Sequence, residues 1–140
     1  MDPTGIISVR SRYAVRETID RLAAAVEAAG LTVFGRIDHG ANAAEVGMPL
    51  RPTELLLFGH PRGGTPLMQE QQTVGIDLPL KALAWEDEAG QVWLTYNDTE
   101  WLARRHGLGS TSVRSLEAMR SSTAVLVAAA GGFDQRSPSS

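Results

Sequence analysis

The feature that most constrains this chain is the run Thr53-Glu54-Leu55-Leu56-Leu57-Phe58, closed by Gly59 and Pro61. A run this short and this apolar, bounded by breakers, predicts a central β-strand covered on both faces. Further along, Leu80 to Asp87 and Gln91 to Asn97 flank Glu88-Ala89-Gly90. That pattern predicts a β-hairpin with Gly90 in the left-handed turn position. With those three residues as the loop, Asp87 opposes Gln91 and the register follows. Trp85 then faces Trp93, Leu83 faces Thr95 and Lys81 faces Asn97. The opposite face sets Ala82 against Tyr96, Ala84 against Leu94 and Glu86 against Val92. A one-residue slip would turn one strand over. Small alanines opposite larger residues suit a face on which helices pack closely.

The remaining elements follow from periodicity and punctuation. Ile6 to Arg10 reads as a short edge strand. Val15, Ile19, Leu22 and Val26 recur at helical spacing, which predicts a helix over Val15 to Ala29 ended by Gly30. Its start is weak, because Ala14 stands where a Ser or Asp would cap the free N–H groups. Leu31 to Asp38 reads as a strand and Ala41 to Val46 as a short helix. Thr65-Pro66 is a favourable helix start, so Leu67 to Gln72 is expected to be helical. Asp98 is a natural cap for a helix over Thr99 to His106 that Gly107 ends, and a last helix is expected over about Ser112 to Ala130. Together these imply an α+β fold, a single-layer mixed β-sheet of about four or five strands with helices mainly on one face. Residues 1–130 form one domain in this reading, and 131–140, Gly-Gly then Arg-Ser-Pro-Ser-Ser, a disordered tail.

Composition sets limits on function. At 140 residues, 43% hydrophobic and 21% charged, the chain has the make-up of one ordinary globular domain. Thirteen basic against sixteen acidic residues give a net charge of -3, a poor match to a phosphate backbone, so nucleic acid is not an expected partner. Zero cysteines exclude disulfides, thiolate metal sites and cysteine nucleophiles. The N-terminus lacks a basic patch followed by an apolar run, and Thr123 to Ala130 is too short to span a bilayer. A cytoplasmic location with no membrane partner is the expectation.

Several strings in order carry a resemblance. They are Arg36-Ile37-Asp38-His39, Leu50-Arg51-Pro52-Thr53-Glu54-Leu55, Gly59-His60-Pro61 and Gly64-Thr65-Pro66-Leu67-Met68-Gln69. They continue with Gly75-Ile76-Asp77-Leu78-Pro79-Leu80-Lys81, Trp85-Glu86-Asp87 and Tyr96-Asn97-Asp98. The series, from about Ser11 to Leu108, closely resembles the bacterial and archaeal family catalogued as domain of unknown function 302. The resemblance implies a small α+β domain and a homodimer, and it carries no settled activity. This chain departs from the family in having His60 where Asn is frequent, and Ala14 in place of a Ser cap.

The candidate chemistry has a functional and a plain reading at each place. Asp38 and His39 can act as a base and its orienter, but strand neighbours point to opposite faces and Asp38 can equally cap the next segment. His39, His60 and His106 are the three histidines; their spacing matches no compact ligand pattern, and no metal site is expected. Arg51 before the central strand can clamp a carboxylate or phosphate, or pin its loop through an ion pair. Gly59-His60-Pro61-Arg62-Gly63-Gly64-Thr65 joins strand to helix and can hold an anion on exposed N–H groups, although it lacks the ending of a P-loop. Lys81 near Asp77, Glu86 and Asp87 can serve acid–base chemistry or a structural ion pair. Trp85 and Trp93 can stack on a flat ligand or, the better fit, build a dimer interface. Met68 reads as a core filler.

Two functional expectations survive. The first is a homodimeric module binding a small molecule or anion between Arg51 and the turn carrying His60, Gly64 and Thr65. The second is an enzyme using Asp38, His39 or Lys81 on a small metabolite. No cofactor fingerprint and no nucleophile–base pair can be named, which favours the first.

Overall fold

The computed structural model describes residues 4–133. In chain order the elements are β1 (Ile6–Ser11), α1 (Val15–Ala28), β2 (Thr32–Asp38), α2 (His39–Glu45), β3 (Thr53–Gly59) and α3 (Pro61–Glu70). They continue with β4 (Leu80–Glu86), β5 (Val92–Asn97), α4 (Thr99–His106) and α5 (Val113–Ala130), and 3₁₀ segments lie at Gln72–Asp77 and Ser110–Ser112. The sheet has five strands in the order β1-β5-β4-β3-β2.

The α+β class holds, but the sheet is not mixed: each neighbouring pair is antiparallel. β1 and β2 do point the same way. They never pair, because α1 carries the chain from one edge of the sheet to the other and β3, β4 and β5 fill the space between. The hairpin register is the one expected, with Trp85 opposite Trp93, Leu83 opposite Thr95 and Ala84 opposite Leu94. Asp87 N–H donates to Gln91 O at 2.8 Å and Gly90 has φ 83°, so the three-residue loop closes as its sequence implies.

α1 lies across β2, β3 and β4, with α5 beside it. Val15, Ile19, Leu22 and Val26 of α1 meet Leu56, Phe58, Ala82, Ala84 and Leu94 of the sheet, and α5 adds Leu126, Val127 and Ala130. Ala82 and Ala84 are fully buried here, where a larger side chain would hold the helix off the sheet. Ala14 makes no side-chain cap, and Gly30, at φ 79°, turns the chain out of the helix.

β3 departs from the expectation of a strand covered on both sides. It is interior, but only one face is fully covered: Leu56 and Phe58 are 0% exposed, while Leu55 and Leu57 on the other face are half-buried. An apolar run without alternation does not reveal which face a helix covers. The open face carries a row of Ile37, Leu55, Leu83, Thr95 and Ser8 across the sheet. Beside it Trp85 and Trp93 stack with centroids 6.3 Å apart.

The C-terminal end also differs from expectation. Gly131 O accepts from Arg12 N at 2.9 Å, and the Arg12 guanidinium lies 4.3 Å from the Phe133 ring centroid, so residues 131–133 belong to the fold. Residues 134–140 of the expected tail lie outside the described residues. Among the described residues no helix is long and apolar enough to cross a membrane.

Candidate functional site

The segment from Gly59 to Thr65 is not a loop. α3 starts at Pro61, earlier than the sequence implies, because His60 caps it: its Nδ1 accepts from Arg62 N at 3.0 Å. Pro61 takes the first helical position, where its fixed φ suits the helix and its missing N–H costs nothing. Gly63 N and Gly64 N both donate to His60 O, at 2.9 and 3.2 Å. Thr65 and Pro66 therefore sit inside the helix rather than at its start.

α3 runs antiparallel to α5. Gly63 sits beside the Met119 methyl at one end of the seam, while at the other Glu70 accepts from Gly109 N at 2.7 Å and Ser112 Oγ at 2.5 Å. Between the two helices and the end of the sheet lies a cleft of roughly 900 Å³, within the usual range for a small-molecule site. Leu31, Phe34, Leu57, Leu78, Pro79 and Leu80 line its sheet side. α3 contributes Arg62, Thr65 and Met68, and α5 contributes Arg114, Ser115, Ala118, Met119 and Ser122, each set falling on one helical face. Gly64 and Gly75 make the close packing here possible: a Cβ on Gly64 would lie 3.3 Å from Leu78 Cδ1, and one on Gly75 3.2 Å from Met68 Sδ. Met68 is thus a wall of the cleft, not a core filler.

No Asp or Glu lines this cleft among the described residues, and its full charges are Arg62 and Arg114. Neither guanidinium has an ion pair or hydrogen bond among the described residues, whereas Arg16, Arg36, Arg105 and Arg120 are all paired with carboxylates.

Of the residues singled out in the sequence, His60, Gly64 and Thr65 line the cleft and Arg51 does not. Arg51 precedes β3 and the turn follows it, so a strand of seven residues, roughly 23 Å at ~3.3 Å each, separates them. Arg51 Nε donates instead to Glu86 O at 3.1 Å, pinning its loop to β4. The cations that do reach the cleft are Arg62 and Arg114. Arg62 belongs to the glycine-rich junction, whose pattern points to it; Arg114 lies far along the chain with no local signal.

The candidate acid–base groups are dispersed. Asp38 Oδ1 caps α2 by accepting from Ala41 N at 2.9 Å, and its Oδ2 accepts from Arg16 at 2.9 Å. His39 is exposed at the start of α2, with no bond to Asp38. Lys81 Nζ donates to the Asp77 and Pro79 carbonyls, both at 3.2 Å. Near Asp38, buried Glu54 accepts from Arg16 Nε at 2.9 Å and Arg36 Nε at 3.3 Å, and the Arg16 bond and the Glu54 charge raise the Arg16 pKa. At the hairpin, Asp87 accepts from Trp93 Nε1, Ala89 N and Gln91 N, each at 2.9 Å. The Trp93 bond foremost holds its carboxyl below the usual Asp range, against the opposing effect of burial.

One imidazole–carboxylate pair does form, away from every candidate pair in the sequence. His106 Nε2 lies 2.5 Å from Asp77 Oδ2, Arg105 Nη1 donates to both Asp77 oxygens at 3.0 Å, and Thr73 Oγ1 is 3.5 Å from His106 Nδ1. Twenty-nine residues separate the pair along the chain, so no spacing rule finds it. The cluster ties the 3₁₀ segment at Gln72–Asp77 to α4. Among the described residues no three His, Cys, Asp or Glu side chains gather as a metal site.

The family model described as "Domain of unknown function DUF302" matches residues 7–126. Over 129 residues the chain is 51% identical to "Fluoride-specific ion channel FluC 1" of Brucella suis biovar 1 (strain 1330). It is 51% identical, over the same length, to a protein of that name from Brucella abortus biovar 1 (strain 9-941). These alignments take in 92% of this chain but 51% and 48% of the relatives, so the chain spans about half their length. A crystal structure of an uncharacterized conserved protein DUF302 from Bacillus stearothermophilus superposes with a TM-score of 0.76 at 17% identity. It covers 94% of this chain and 98% of that one, a likeness of fold.

Proposed function

The chain belongs to the DUF302 family, and from that premise we propose that it is a small-molecule-binding module whose ligand occupies the α3–α5 cleft. The observation that carries this reading is the cleft itself: roughly 900 Å³ of largely apolar wall with a few polar groups on two helices. The test is binding of the uncharged, apolar fluorophore N-phenyl-1-naphthylamine to the wild-type chain and to Ala118→Trp, which fills the cleft from α5. Enhanced fluorescence in the wild type that the substitution abolishes, with the circular dichroism unchanged, supports the reading. Equal fluorescence in both places the dye elsewhere and refutes it. The acid–base alternative has less support, because Asp38 is taken up by the α2 cap and Arg16, Lys81 by two backbone carbonyls, and His39 makes no bond to Asp38.

The module works as a homodimer joined through the open face of the sheet. Half-buried Leu55, Leu83, Trp85 and Trp93 make a contiguous apolar surface there, of the kind that associating proteins cover. Light scattering at micromolar concentration should give twice the chain mass for the wild type and the monomer mass for Leu83→Glu. Monomer mass in the wild type removes the dimer.

A second reading rests on the names of the relatives: a module that accompanies fluoride handling. A broad apolar cleft does not suit a small hydrated anion, so this role needs a different surface. Sodium fluoride that raises the melting temperature where sodium chloride does not would support it, and equal effects of the two salts would exclude fluoride binding.

A further inference from the structure

We infer that the cleft selects an organic anion with a hydrocarbon body, the chemistry shared by alkyl carboxylates and alkyl phosphates; this rests on the reading that the cleft is the binding site. The walls fit a hydrocarbon. Phe34, Leu57 and Leu80 come from the sheet end, and Met68 and Met119 come from α3 and α5, unbranched side chains that adapt to a flexible tail.

The charge points to the head group. The whole chain carries -3, yet the cleft presents two guanidiniums and no carboxylate among the described residues. Both are without partners there, so no internal anion competes for them. A guanidinium offers a planar fork of donors matched to carboxylate and phosphate oxygens. The pairing of Gly63 with Met119 and of Glu70 with Ser112 sets the position of Arg62 beside about residue 120. Arg114 is then about six residues, or roughly 9 Å, further along the seam. Two long side chains spaced in this way reach one head group from opposite sides. Thr65, Ser115 and Ser122 supply hydroxyl donors along the same walls.

The experiment holds the tail constant and varies the head. Decanoate, decyl phosphate, decanol and decyltrimethylammonium, all below their micelle concentrations, compete with the uncharged fluorophore N-phenyl-1-naphthylamine on the full chain. The two anions are expected to displace the dye at concentrations about tenfold or more below decanol, and the cation to be the weakest. In Arg62→Ala/Arg114→Ala the anion-over-alcohol ratio falls to about twofold, while decanol still displaces the dye from the cleft. Which anion wins in the wild type assigns carboxylate or phosphate as the head. Decanol competing as well as decanoate, or a ratio that survives the double substitution, overturns the inference and leaves the binding module standing. If neither the dye nor any ten-carbon compound responds to Ala118→Trp, the binding module itself falls, and the inference with it.

Discussion

Three consecutive leucines on β3 offer an isochemical test of the fold. Leu56 is 0% exposed under α1, while Leu55 and Leu57 lie half-buried on the open face. Leu→Ala removes three carbons. At ~0.8 kcal/mol per buried CH₂ this loses about 2.4 kcal/mol at full burial. At position 56 the void is enclosed, and a residual cavity of about 50 Å³ adds about 1.2 kcal/mol at ~24 cal/mol per Å³. Leu56→Ala should therefore cost roughly 3.5 kcal/mol, a fall in Tm of about 10–15 °C. Leu55→Ala leaves no enclosed void and should cost about 1 kcal/mol in the monomer. Urea unfolding followed by tryptophan fluorescence reads both values at constant slope. If the open face is the dimer interface, the cost of Leu55→Ala grows with protein concentration and that of Leu56→Ala does not. A strand covered equally on both faces would make the two costs equal at every concentration. Equal costs in dilute solution would refute the assigned burial.

Other expectations follow from single side chains. The Asp87 pKa is depressed in the folded state, so its contribution to stability is present above the unfolded value near 3.8 and is lost as pH falls through the lower folded value. An NMR titration should place its midpoint below that of an ordinary Asp, and Trp93→Phe, which removes the donor, should move it back up. Glu54→Gln should destabilise by about 1–2 kcal/mol, because the carboxylate is buried but Arg16 is largely exposed. Half or more of that loss should vanish in 1 M salt, and a salt-independent loss would mean that packing dominates. Gly107 ends α4 at φ 65°, and a methyl group placed there would meet nothing within 4 Å. Gly107→Ala should therefore cost about 1 kcal/mol from backbone strain alone. Thermal unfolding that shows no loss would contradict that conformation.

Local chemistry made much of the fold legible. Gly90 and the three-residue loop determined the hairpin register, and with it the stacked Trp85 and Trp93, because a turn and its flanking residues interact within a few positions. Asp98 and Gly107 marked both ends of α4 in the same way, and four apolar residues at helical spacing identified the buried face of α1. The start of α3 was not legible, because a histidine cap at His60 is not among the usual capping residues. The site divides along the same line. His60, Gly64 and Thr65 were visible as a glycine-rich junction, whereas Arg51, next to it only through a strand, lies at the other end of β3.

What the sequence determined by itself was therefore most of what is held by neighbours along the chain: the strands, most helix ends, the register of β4 on β5, and the ordered strings that mark the family. Tertiary structure alone decided that the sheet is antiparallel throughout, that one face stays open, that His106 meets Asp77, and that Arg62 and Arg114 share a cleft. Each of these depends on where α1 and α5 cross the sheet. That placement follows from burying Leu22, Val26 and Val127 together, and burial has no direction along the sequence.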